Sequence, residues 1–566
     1  MAMGVFGAMA LAVAAGVSAA AEVVSPAVPP GGAGKMACAS FAEVGVRGEL
    51  RERLERNYSR LHDERYSPDK VFISPADSSS GDDWPGDTEG RTILALVLES
   101  QATGRESAHL AEIMRRVPGW LNARGYMGPV HDDFIDEQQL SGNGWMLRAL
   151  CEYAAWKGDA SADLLAGRMA KSLFAPWKGE FARYPIDPAG RVKGVGAASG
   201  TAASRIGKWR LSTDVGCVFI GMAGLAQVYE RQKDESLRPL LDEMVARFLE
   251  MDLVSIRAQT HASLTAMLGV LRYADASGRG DLVSEVVRRF AVYREKGMTE
   301  SYANYNWFCR YDSWTEPCAI VDSYILAVEL WRRTLDAAYL ELADRIYLNA
   351  LCRAQRRNGG FGLENCPGAA AKTDCLSVHV PEAHWCCSMR GGEGLSRAVQ
   401  YAAFHRRDDV YLAFFRDARV RVGLSGGRFE FDEACSVPLG NAVRLKVAAN
   451  EAGRVALHFR QGDWMVSPRV SVNGRAVEAS SEGGFLVVSG SFGAGDEIVF
   501  SFDRRRRWQP ALNAENAPAK RRAFYGPLLL GGAEDADALD SLAPVYEAFR
   551  AETWEKGSGR VRILFD

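Results

Sequence analysis

The segment Ala319–Leu330, AIVDSYILAVEL, followed at Ala338–Leu348 by AYLELADRIYL, is the stretch from which the fold reads. The first segment is apolar on nearly every side, as a helix buried all round must be. The second keeps an apolar stripe at helical spacing and turns its charges outward. The pairing recurs. Arg91–Ser100, Gly144–Trp156, Val218–Tyr229 and Ser263–Tyr273 are nearly apolar all round. Each is followed, after a short polar or Gly-containing turn, by an amphipathic segment: His109–Leu121, Ser161–Leu173, Leu237–Leu249 and Asp281–Tyr293. One more helix near 42–62 and one near 394–405 make twelve. Alternating buried and half-exposed helices predict an (α/α)6 barrel over residues 41–405.

After Arg407 the period changes. Tyr411–Val420, Val443–Val447, Ala456–Phe459, Val470–Val472, Phe485–Val488 and Glu497–Phe502 are short, often alternating runs separated by Gly, Asn and Asp turns. They predict a C-terminal antiparallel β-sandwich over 406–566. The expected chain is therefore an α + β multidomain protein. At the other end, residues 1–21 are an Ala- and Gly-rich apolar run ending Ser18-Ala19-Ala20-Ala21, which reads as a secretory signal peptide. A Pro- and Gly-rich linker follows over 22–40, and nothing later is long and apolar enough to span a bilayer. The expectation is an exported protein, periplasmic or secreted, with no stable membrane insertion after signal cleavage.

With 566 residues, 47% hydrophobic, the chain can bury large cores. A formal charge of −3 gives no electrostatic reason to expect nucleic acid as a partner. Eleven cysteines are too sparse over this length for a disulfide scaffold, and the odd number leaves at least one thiol unpaired in any intramolecular scheme. Metal ligation would protect such thiols in an exported protein.

The chemistry concentrates between Glu300 and Cys387. Glu316-Pro317-Cys318 is followed about seventy residues on by the adjacent pair Cys386-Cys387. Three thiols and a carboxylate complete a tetrahedral shell for zinc, Zn²⁺, which takes Cys sulfur and Glu oxygen readily. There is no Cys-x-x-Cys, the usual spacing of structural zinc sites, so two buried thiols or a strained disulfide is the competing reading of the pair.

Glu300, sixteen residues ahead of Glu316 in Thr315-Glu316-Pro317-Cys318, with Trp385-Cys386-Cys387 before a helix carrying Arg397, resembles the signature of glycoside hydrolase family 127, the β-L-arabinofuranosidases. The family's Glu-Thr-Cys stands here as Glu316-Pro317-Cys318, and its Cys-Cys-Pro-Pro-Asn as Cys386-Cys387-Ser388-Met389-Arg390. Gln461-Gly462-Asp463-Trp464, Val472-Asn473-Gly474-Arg475 and Tyr525-Gly526-Pro527-Leu528 resemble the family's accessory sandwich in the same order. The resemblance implies a retaining glycosidase acting on a carbohydrate. Cys386 would be the nucleophile and a metal ligand with Glu316, Cys318 and Cys387, and Glu300 the acid/base. It also implies that His261 binds the sugar. Where the family has Gly-His twice more, this chain has Gly144-Trp145 and Gly216-Cys217, so Trp145 would stack where an imidazole would hydrogen-bond. Tyr302 and Trp307 are expected to wall the site and offer a sugar-stacking face; ordinary core packing is their alternative.

Two other classes compete. One is a different (α/α)6 enzyme, an unsaturated uronyl hydrolase or polysaccharide lyase, with Asp83, Asp87, Asp214 or His131 as catalytic candidates. The other is a non-catalytic carbohydrate-binding protein with a structural zinc.

Overall fold

The computed structural model describes residues 36–72, 84–191, 199–366, 380–504, 506–510 and 521–533. The expected signal peptide, most of the expected linker and Asp83 lie outside the described residues.

Among the described residues, twelve helices are nine residues or longer. They are α1 (Gly48–Arg60), α2 (Asp87–Thr103), α3 (Leu110–Trp120), α4 (Glu137–Lys157), α5 (Ala160–Met169) and α6 (Ile220–Gln232). The rest are α7 (Arg238–Glu250), α8 (Thr260–Ser277), α9 (Asp281–Lys296), α10 (Pro317–Thr334), α11 (Ala338–Ile346) and α12 (Cys387–Gln400). The even-numbered helices form a closed ring: α2 packs on α4, α4 on α6, α6 on α8, α8 on α10, α10 on α12, and α12 on α2. Each odd-numbered helix lies against one or two ring helices. The expected alternation of inner and outer helices is what sorts them. Helix α4 is buried almost from end to end, whereas α7 buries only one stripe, including Leu240, Met244 and Phe248.

Local signals set the helix ends. The Asp136 carboxylate accepts from the amides of Gln138 and Gln139 and caps α4, which stops at Gly158 in the left-handed conformation (φ 66°). Two expected boundaries differ. The last helix begins at Cys387, seven residues earlier than expected, and Phe404–Arg406 is already a strand, because Phe404 and His405 pair with Cys38 and Ala37. The first helix begins at Gly48, because Val44–Val46 pairs with the strand Ala418–Leu424.

Those pairings bring the first strands of the described chain into the β region that follows the last helix. A six-stranded sheet contains Phe404–Arg406, Asp409–Leu412, Val455–Arg460 and Phe485–Gly490, and a seven-stranded sheet contains Ala418–Leu424, Gly427–Cys435, Ala442–Asn450, Met465–Val472 and Glu497–Arg504. The sheets face each other: Phe459 of the first stacks on Phe500 of the second with ring centroids 5.1 Å apart. Arg460 ties this region to the helices by reaching Asp344 (2.6 Å) and Glu341 (2.9 Å) on α11. Among the described residues no helix is long and apolar enough to cross a membrane.

The ring is tight where glycines let helices touch backbone to backbone. A Cβ on Gly144 of α4 would stand 2.6 Å from the Cα of Gly221 on α6, and one on Gly224 would stand 2.4 Å from the Gly144 carbonyl oxygen. Neither neighbour can swing aside. Gly144→Val is therefore expected to lose about 1–3 kcal/mol of stability from overpacking, measured as a lower midpoint in denaturant unfolding.

Candidate active site

Inner helices α8, α10 and α12 start at one mouth of the ring, and that mouth is where the sequence placed its chemistry. Glu316 immediately precedes α10 and Cys318 lies in its first turn; Cys386 precedes α12 and Cys387 opens it. Helix N-termini carry partial positive charge and favour thiolate and carboxylate there. The four ligand atoms of Glu316, Cys318, Cys386 and Cys387 all lie within 4.8 Å of one another. The Cys318 and Cys387 sulfurs are 3.6 Å apart, those of Cys386 and Cys387 3.3 Å, so no disulfide joins the adjacent pair.

This donor set suits a cation. Burial pushes the Cys318 and Cys387 thiols well up; at Cys386 the Cys318 contact pulls down, but the Cys387 contact and burial outweigh it. Burial also raises the Glu316 carboxyl, whose Oε2 is buried without a hydrogen-bond partner. Soft, desolvated donors around an orphan oxygen form a cluster that could hold a metal ion.

Beside the cluster sits Arg91 of α2. Its Nε donates to Asp87 at 2.7 Å, its Nη1 lies 3.5 Å from the Cys318 sulfur, and its Nη2 lies 3.2 Å from Nε2 of His261. Burial works against its charge, but Asp87, Cys318 and Cys386 hold its pKa above the usual guanidinium range. On its other edge His261 meets Asp322 through Nδ1 (2.6 Å). A guanidinium can only donate, so the His261 nitrogen facing Arg91 is the acceptor and Nδ1 carries the proton. Asp322 also accepts from Thr265 (2.8 Å) and pairs with Arg390. Burial raises its carboxyl, but Arg390 and His261 outweigh that and hold it below the usual range.

Cys386, Glu316, Arg91 and His261 share the wall of a cavity of about 440 Å³. The volume suits a ligand of a few rings. Trp84, Trp314 and Trp385 line it too, and Trp385 is 44% exposed. Asp87 and Asp214 are on the same wall, while His131 lies elsewhere, against Phe134.

Cys318 and Cys387 lie behind Cys386 in the cluster, and four other expected site residues are not on that wall. Trp145 is fully buried in the middle of α4, beneath His261, with ring centroids 5.8 Å apart. Trp307 is fully buried and braces Trp314 edge-on at 5.0 Å. Glu300 pairs with Arg522 (3.3 Å), and Tyr302, at φ 63°, lies 3.3 Å from Arg345 and packs edge-on against Phe524. The turn that carries them closes through Thr299 and Ala303 and points towards the strand Arg521–Tyr525. The sequence reading missed Arg91, Trp84, Trp314 and Gln259 as cavity residues. The adjacent Trp84-Pro85-Gly86-Asp87, ahead of α2, was the available signal for one end of that wall.

Residues 409–504 match the profile of the β-L-arabinofuranosidase GH127 middle domain. No curated protein matched. Among solved structures, a GH127 β-arabinofuranosidase aligns with 87% of this chain and 85% of its own at 14% identity and a TM-score of 0.65. A GH127 β-L-arabinofuranosidase from Geobacillus stearothermophilus T6 aligns with 86% of each chain at 12% identity and a TM-score of 0.63. At such identities the likeness is one of fold. Profile and fold together agree with the resemblance to family 127 and with the chain's divergence from it.

The Asp322 network makes a direct test of how the wall is held. Asp322→Ala is expected to cost about 3–5 kcal/mol, because it breaks a buried charge pair, leaving Glu393 as the one carboxylate paired with Arg390 among the described residues, and frees His261; urea unfolding of the variant against the parent measures it.

Proposed function

We propose that this chain, a divergent relative of glycoside hydrolase family 127, is an exported retaining glycosidase acting on plant or algal oligo- or polysaccharides, with β-L-arabinofuranosides as the first substrates to test. The observation that carries the reading is the Glu316, Cys318, Cys386, Cys387 cluster at the wall of a tryptophan-lined cavity. In this reading the closed ring of inner helices with its outer layer is an (α/α)6 barrel over 41–405, and the facing sheets are a β-sandwich over 406–566. A signal peptide at 1–21 and a linker at 22–40 precede them.

The four residues would hold zinc, which keeps bound sulfur as thiolate at neutral pH and shields it from oxidation. Cys386 is the thiol of the cluster that lines the cavity, so its sulfur is the one a sugar can reach. It would attack the anomeric carbon as the glycosidic C–O bond breaks, giving a thioglycoside that water then cleaves. Two inversions leave the anomeric configuration unchanged. The leaving oxygen needs a proton from a carboxylic acid, and the water must later lose one to the same group. The resemblance implies Glu300 for this task. The resemblance implies that His261, held by Asp322, binds a sugar hydroxyl, which would take the place of Arg91 at its Nε2, and Trp385 offers an exposed stacking face.

Asp87 and Asp214 on the cavity wall favour one second reading, a water-based reaction between carboxylates as in a uronyl hydrolase. Two measurements separate the readings. Metal analysis of protein purified with reductant is expected to find about one zinc per chain, and Cys318→Ser to lose both metal and folding yield, since site formation is coupled to folding. An NMR time course is expected to show the retained anomer first; the inverted anomer, or activity undiminished after zinc removal, would exclude Cys386 as nucleophile.

A further inference from the structure

We infer that Asp214 is the acid/base carboxylate of this site, in place of Glu300; the inference rests on the glycosidase reading above. Among the described residues the carboxylates on the cavity wall are Asp87, Asp214 and Glu316. Glu316 belongs to the metal-type cluster. Asp87 is committed to Arg91, whose Nε it holds at 2.7 Å. Asp214 is held differently: its Oδ1 accepts from the Ser199 hydroxyl at 2.8 Å, and among the described residues no ion pair to it is found.

The backbone around Asp214 is fixed from three sides. Its amide donates to Ser212 Oγ (3.1 Å), its carbonyl accepts from the Cys217 amide (3.0 Å), and the preceding Thr213 carbonyl accepts from the Trp307 indole (3.2 Å). The next residue, Val215, accepts from the Gln259 amide (3.0 Å), which ties the segment to the start of α8 and so to His261. Trp307, expected to touch the sugar, instead supports the loop that presents this carboxylate. Glu300, by contrast, is turned towards Arg522 and has no place on the wall.

A group that first gives and then takes a proton works best with a pKa near the working pH. Burial pushes the Asp214 carboxyl up to about 7; the Ser199 hydrogen bond opposes this and the Glu137 carboxylate adds to it. Among the described residues the other charged and titratable groups on the cavity wall are Asp87 and Arg91 from α2, His261 from α8, Glu316 at α10 and Cys386 at α12, and Glu137 from α4 also acts on Asp214. The proton balance closes. As the Cys386 sulfur bonds to the anomeric carbon, the Asp214 O–H proton passes to the departing oxygen, which leaves as an alcohol. In the second half the Asp214 carboxylate removes a proton from water, whose oxygen bonds to the anomeric carbon while the C–S bond breaks and the thiolate returns.

The test compares Asp214→Asn and Glu300→Gln in the full, zinc-loaded chain, on 2,4-dinitrophenyl and methyl β-L-arabinofuranosides, with and without azide. Asp214→Asn is expected to keep its zinc and to lose roughly 10²–10⁴-fold on the methyl glycoside, far less on the dinitrophenyl glycoside, which departs without a proton. The fall in parental kcat/KM as pH rises through about 7 should be absent from the variant, since it reports ionisation of the acid. Azide should restore turnover and give a glycosyl azide of retained configuration, which a merely structural lesion would not do. The same pattern in Glu300→Gln, with Asp214→Asn near parental, would overturn the assignment while leaving the glycosidase reading intact. A parent inactive on these and on a panel of other aryl furanosides and pyranosides would overturn the reading on which it rests, and the assignment with it.

Discussion

Arg91 is the group on which this site depends. A guanidinium at 5% exposure must find partners for its donors within the protein, and it finds Asp87 beside it on α2, Cys318 on α10 and His261 on α8. Three ring helices are thereby tied through one side chain. The same contacts set the chemistry nearby. His261 is fixed in the tautomer that offers an acceptor to Arg91, and a positive charge stands next to the sulfur cluster. A lysine could supply the charge but not the forked reach.

The absence of a Cys-x-x-Cys is explained by where the thiols sit. A zinc knuckle needs one tight turn to present two sulfurs, whereas here two adjacent ring helices, α10 and α12, bring their N-termini together and each contributes a pair of donors. Glu316 and Cys318 are separated by a proline at the first helical position, where a missing amide costs nothing. The vicinal Cys386-Cys387 pair works because one residue immediately precedes the helix and the next opens it, so their side chains converge with those from α10.

The helix order, the ring-and-shell arrangement and the ligand cluster were legible in the sequence because each rests on a periodic pattern or on residue chemistry. Depth was not. Trp145 and His261 both fall within apolar helices, but His261 is the second residue of α8 and reaches the mouth, while Trp145 is the ninth residue of α4 and lies below it. A linear pattern of hydrophobicity carries no record of how far along the ring axis a residue sits. Loop direction was equally hidden. The spacing from Glu300 to Glu316 places Glu300 in a turn, but the turn's aim is set by Arg522, which lies 222 residues further on.

Two departures from the family motifs, read separately in the sequence, meet in space. Trp145 stands where the family has histidine, and Arg390 where Cys-Cys-Pro-Pro-Asn has asparagine; the Arg390 guanidinium lies 4.7 Å from the Trp145 ring. Arg91 at 4.1 Å and Arg148 at 4.9 Å complete a set of three cations around one indole. Three clustered guanidiniums would repel one another in a dry interior, and burial, with Arg148 and Arg91 adding to it, pushes Arg390 down to about 10 against the opposing pull of Asp322 and Cys318. Asp322 and Glu393 offset this, the first pairing with Arg390 and the second with Arg390 and Arg148. The negative faces of the indole add an attraction worth up to about 2 kcal/mol for a desolvated cation. A histidine at 145 facing the same three cations would be kept neutral by them and would lack the broad π-face that they use. Trp145 with Arg91, Arg148 and Arg390 thus forms one packed floor beneath His261. That floor is a rigid support for Arg91 and His261, which line the cavity.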